Sequence, residues 1–77
     1  MYELITIDVS SEQPKGLGCK RYKTHPRVGE WVEWNENEKG TMFEVVVVAH
    51  SADGAGSDIY VKKLGETLEV VQGICNQ

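Results

Sequence analysis

Between residues 2 and 9 the chain reads YELITIDV, with Ile5, Ile7 and Val9 on one side of an extended backbone and Thr6 and Asp8 on the other. That alternation predicts a half-buried first strand. It stops at Ser10, and from residue 10 to 28 no period survives while Pro14, Gly16, Gly18 and Pro26 interrupt the chain. A long loop packed over a sheet is the expectation for this stretch. Alternation returns in EWVEW, where Val32 and Trp34 share one face and Trp31 and Glu33 the other, and the polar run NENEKG then turns the chain.

The next strand, residues 41–50, is the most apolar. Regular alternation puts Phe43, Val45, Val47 and Ala49 on one face and Met42, Val46 and Val48 on the other. Apolar residues on both faces imply cover on both sides. A fourth strand is expected over residues 58–64, a turn at Gly65 and Glu66, and a fifth strand over residues 67–71. No run of ten or more residues shows a helical period, and the end, VQGICNQ, offers at most a short turn. These elements make an all-β fold, a closed or nearly closed five-stranded antiparallel barrel with a long loop after the first strand. Closure hides sheet edges that would otherwise pair with other chains.

The runs RVGEWVEW, GTMFEVVVVAH and SDIYVKKLG resemble small uncharacterised bacterial proteins with a Src-homology-3-like barrel, including some carried on mobile integron gene cassettes. The resemblance spans roughly residues 27–71. It implies the barrel fold and brings no assigned activity, so no site residue comes with it.

Seventy-seven residues form one domain, residues 1–77, and a chain of this size buries only about 60% of the surface its unfolded form exposes. A thin core favours binding at the surface or at a subunit interface over a water-excluding reaction chamber. A composition of 40% hydrophobic and 26% charged residues is that of an ordinary globular domain. No window approaches the ~18 apolar residues that span a bilayer. The acidic start lacks a secretory pattern, and the two cysteines, Cys19 and Cys75, are too few for a disulfide scaffold. The expectation is a cytoplasmic protein with reduced thiols.

Net charge is −4, but it is unevenly spread. Lys15, Lys20, Arg21, Lys23 and Arg27 stand in one stretch without an acid, leaving three cations against all twelve acids elsewhere. With Tyr22 among them, these residues have the mix of cation and aromatic that clamps a phosphate backbone and stacks on a base, so single-stranded nucleic acid is one candidate partner. The competing and favoured reading is a cationic cover neutralising Glu30, Glu33 and Glu44, because an acidic remainder opposes steering toward nucleic acid.

Other candidates reduce to structure. HSADGAGSD has oxygens for a calcium ion but lacks the spaced ligand run and closing glutamate such a loop needs, and its glycines and aspartates suit a tight reversal. His50, Ser51 and Asp53 suggest a triad, but neighbours on a strand point to opposite faces. Cys19, His25, His50 and Cys75 lack the paired spacing of structural zinc sites. KGLG, at Lys15 to Gly18, lacks the lysine, hydroxyl residue and helix that a phosphate loop requires after its last glycine. What remains is a non-catalytic binding or adaptor protein without a cofactor. Outward Trp31 and Tyr60 are the candidate partner surface together with the basic stretch, and Val46 and Val48 are the candidate contact of a homo-oligomer.

Overall fold

The computed structural model describes residues 2–54 and 56–75. Its elements are β1 (Tyr2–Asp8), β2 (Lys15–Tyr22), β3 (Trp31–Glu36), β4 (Lys39–His50), β5 (Ser57–Glu66) and α1 (Thr67–Cys75). The strands form one sheet in the order β2-β1-β5-β4-β3, curled into a half-barrel. β1 runs parallel to β5 while every other pair is antiparallel. The expected antiparallel barrel is therefore a mixed sheet with two edges, β2 and β3.

Three expectations are corrected. First, residues 15–22 of the expected long loop form β2, an edge strand paired along β1 from Tyr2↔Tyr22 to Asp8↔Lys15. The register slips between Thr6 and Ile7, opposite the glycine-flanked Leu17, and Gly18 takes a φ of 88°. Glycines and an irregular register erased the alternation that would have revealed the strand. Second, residues 67–71 open a helix. Gly65 at φ 140° breaks the extended chain, and Leu68, Val71 and Ile74 recur at a helical interval of three. Third, β1 buries its other face: Leu4 and Thr6 are inside and Ile5 is exposed. The Thr6 hydroxyl is accommodated because it lies 3.0 Å from the Tyr22 hydroxyl and donates to Leu4 O at 3.4 Å.

β3 and β4 join through Asn37 and Glu38, both at positive φ (51° and 67°), the backbone of a two-residue hairpin turn. The loop between β4 and β5 is a reversal, with the Ser51 amide donating to Gly56 O and the Gly54 amide to Ser51 O. Gly54 and Gly56 supply positive φ there, and Ala55 lies outside the described residues.

In β4 the alternation is interrupted. Val45 pairs with Val61 and Val47 with Tyr60, so Val46 is an extra residue in the ladder. The slip keeps Phe43 and Val45 inside, turns Val48 toward the core opposite Ile59, and leaves Val47 outside at 48% exposure. The predicted Phe43, Val45, Val47, Ala49 face thus breaks in the middle, and Val48 packs on its own core rather than opposite it.

The core is small: Leu4, Val32, Phe43, Val45, Ile59 and Val61, all on the concave face. Most of its cover comes from the two edge strands. Leu17 and Tyr22 of β2, Trp34 of β3 and Val48 of β4 pack against it, and the Trp34 ring lies nearly parallel to Phe43 with centroids 4.0 Å apart. From the opposite edge, Lys20 Nζ sits 5.0 Å from the Trp34 centroid.

Phe43→Ala should lower unfolding free energy by about 3–5 kcal/mol, most of what a small domain has. Val47→Ala should change it by no more than about 0.5 kcal/mol. Urea titration of the two variants checks both, and equal losses would contradict the slipped register.

Candidate binding surface

The convex face of the sheet is read directly from the ladder. Because Val32, Phe43, Val45, Ile59 and Val61 point inward, their strand neighbours point outward. Ile5 stands between Cys19 and Asp58, Ile7 beside Tyr60, Tyr60 beside Val47, and Trp31 beside Glu44, which faces Lys62. Ile5, Val47 and Trp31 are exposed and Tyr60 is half-buried. The outward placement of Trp31 and Tyr60 expected from alternation is observed, on β3 and β5.

Helix α1 adds to this face. A Cβ on Gly40 would meet Thr67 Oγ1 at 3.2 Å and Glu33 Oε2 at 2.9 Å, and one on Gly65 would meet Val70 at 3.6 Å. Those glycines hold the start of α1 against the convex side of β4 and β5. Leu68 is 76% exposed, Val71 and Ile74 are exposed as well, and no residue of the helix is buried. A helix with this apolar content ordinarily buries one stripe. Between α1 and the β3–β4 hairpin lies a groove of about 490 Å³ lined by Glu33, Asn35, Glu38, Gly40, Glu66 and Leu68. Glu33 lies two residues from Trp31 on the same strand face, so groove, helix and outer sheet form one surface.

The basic stretch is not assembled as a stacking clamp. Tyr22 points to the concave side, where its hydroxyl meets Thr6, and Lys20 lies over Trp34. Arg21 points outward with Nε 3.1 Å from Glu3 Oε1. Lys23 and Arg27 are exposed in the connection to β3, where the Arg27 amide donates to Glu30 Oε1 at 2.8 Å. Of the expected acidic partners, Glu30 meets Arg27 only through its backbone, and Glu44 stands opposite Lys62.

His25 and His50, far apart in sequence, stack with centroids 5.5 Å apart, and Tyr2 meets His25 edge-on. His25 Nδ1 is 2.9 Å from Pro26 O and His50 Nδ1 is 2.8 Å from Ser57 Oγ, while the Ser51 hydroxyl donates to Asp53. Cys19 lies on the convex face beside Ile5, and Cys75 ends α1. Among the described residues no three histidine, cysteine or acidic side chains gather as a metal site.

No known protein family, curated protein or solved structure matches this chain. Among the described residues no helix is long and apolar enough to cross a membrane. Sequence reasoning missed Ile5, Val47 and α1 as parts of the outer surface. The interval of three between Leu68, Val71 and Ile74 was the available signal for the helix.

Burial pushes the Tyr22 phenol above the ordinary tyrosine value; the Thr6 hydroxyl, which favours the phenolate, opposes the shift, and nearby Cys19 adds to it. A pKa raised by folding gives stability that is complete below the unfolded value near 10 and is lost as pH rises through the folded one. Wild-type stability should therefore fall on the alkaline side of about pH 10, and Tyr22→Phe should remove that part of the decline. Urea midpoints measured from pH 8 to 11 decide it: an identical alkaline slope in the variant contradicts the burial of this phenol.

Proposed function

We propose that this chain is a non-catalytic binding module of the cytoplasm that associates with itself and with other proteins through its convex face. The observation that carries this reading is the concentration of solvent-facing apolar side chains there: Ile5, Val47 and Trp31 on the sheet and Leu68, Val71 and Ile74 on α1. Apolar side chains gathered in solvent on one face are characteristic of protein contacts, and tryptophan and tyrosine are enriched in their centres. A standard interface removes about 800 Å² per partner, against a total surface of 5633 Å² here. Neighbouring charges are arranged in opposed pairs, Glu44 with Lys62 and Glu3 with Arg21, which lowers repulsion between acidic copies. Of the residues expected at an oligomer contact, Val46 is half-buried and Val48 packs on the core, and Val47 takes the outward role. For the antiparallel β3–β4–β5 meander, kinship with Src-homology-3-like barrels is part of the same proposal.

The second reading, single-stranded nucleic-acid binding through Lys15, Lys20, Arg21, Lys23 and Arg27, has in its favour the exposure of Lys15, Lys23 and Arg27. The inward turn of Tyr22 removes its stacking platform.

In sedimentation velocity the wild type should exceed the mass of one chain, and Val47→Glu with Leu68→Glu should reduce the weight-average mass at equal concentration. An unchanged mass in that variant overturns the convex-face contact. Fluorescence anisotropy with mixed oligonucleotides at low salt should stay flat; a rise that collapses with added salt would instead favour the nucleic-acid reading.

A further inference from the structure

The two ends of the sheet, β2 and β3, each present a row of backbone amides and carbonyls with no strand beyond them. Their charges are opposite. β2 carries Lys15, Lys20 and Arg21 without an acid, and Lys23 follows it. β3 carries Glu33 and Glu36 without a cation, with Glu30 before it and Glu38 after it. Charged residues on an edge normally prevent pairing with another chain. Here that protection is selective. Two β2 edges repel, as do two β3 edges, because like charges opposite each other destabilise a ladder, whereas β2 against β3 matches base with acid.

Geometry supports the same pairing. β2 and β3 flank the open seam of the half-barrel, and Lys20 reaches across it to Trp34. In the sheet order β1 and β5 run one way, β2 and β4 the other, and β3 runs with β1. A second copy rotated by a half turn about an axis along the strands therefore brings its β3 antiparallel to β2 of the first, and its β2 antiparallel to β3. Both seams close together. The existing partners of the edge charges are Glu3 for Arg21, an exposed ion pair at 3.1 Å that exchanges at little cost, and Lys63 for a half-buried Glu36 at 3.6 Å.

We propose that two copies of this chain pair edge to edge, β2 of each against β3 of the other, into one closed ten-stranded barrel with two-fold symmetry. Closure removes both free edges. The contact is separate from the convex face, which stays outside the barrel and free for the association proposed above.

The test uses the full chain carrying Val47→Glu and Leu68→Glu, which removes convex-face association. This chain should sediment as a dimer. Adding Lys15→Glu, Arg21→Glu and Lys23→Glu makes both edges net acidic; adding Glu33→Lys, Glu36→Lys and Glu38→Lys instead makes both net basic. Each reversed chain should be monomeric alone, and an equimolar mixture should recover the dimer. A mixture that stays monomeric, or reversed chains that dimerise as well as their parent, overturns the edge pairing. If the parent is already monomeric while the wild type associates, the convex-face reading stands and the edge proposal falls. If the parent matches the wild type and reversal alone dissociates it, the edge proposal stands and the convex-face reading falls. Should a reversed chain fail to fold, amide exchange on the parent decides. Edge amides of β2 and β3 should gain protection as concentration rises, and their unchanged exchange overturns the proposal.

Discussion

Four valines in a row compete for one core, and the register of β4 decides which of them reach it. Alternation would send two of them to each face, and only the concave face has a core. The extra residue at Val46 keeps that number but moves the strand on by one position, so that Val45 and Val48, rather than Val45 and Val47, reach the inside. The same slip sends Val47 outward to stand beside Tyr60. The shape of the core and the composition of the outer surface are thus two consequences of one interruption in the β4–β5 ladder.

The core that results is thin, and the molecule compensates by folding its edges over it. Phe43 lies beneath Trp34 from β3, and Lys20 from β2 covers the tryptophan in turn. Tyr22 reaches inward from β2 to the Thr6 hydroxyl, which makes a polar group tolerable on the inner face of β1. Residues that read from sequence as a basic recognition loop therefore take part in construction. The charge split has a structural meaning as well: Lys15, Lys20 and Arg21 lie on β2 at one edge of the half-barrel, and Glu33 and Glu36 lie on β3 at the other. With the inner face served by both edges, the apolar side chains left over gather on the outer face and on α1.

Much of this was legible in advance. β3, β4 and β5 are legible because aromatic and β-branched residues crowd those segments, and the β4–β5 reversal because glycine and aspartate surround it. The outward directions of Trp31 and Tyr60 followed from alternation. What escaped reading was whatever depends on a break in the period. β2 contains Gly16 and Gly18 and a slipped register, so it looks like a loop. α1 was read as a strand because Thr67 to Val71 is too short for periodicity to separate the two, and its start depends on the positive φ of Gly65. The inner face of β1 depends on a threonine whose partner is sixteen residues away, and the parallel pairing of β1 with β5 depends on contacts between the two ends of the chain. Local pattern carries no record of either.

Methyl-resolved NMR of the valines with a soluble paramagnetic probe tests the slipped register most directly, at a concentration low enough to keep the chains apart. The account predicts strong broadening of the Val47 methyls and little for Val45 or Val48. Protection of Val47 together with broadening of Val48 would mean that β4 alternates without interruption, and the outer surface described here would not exist.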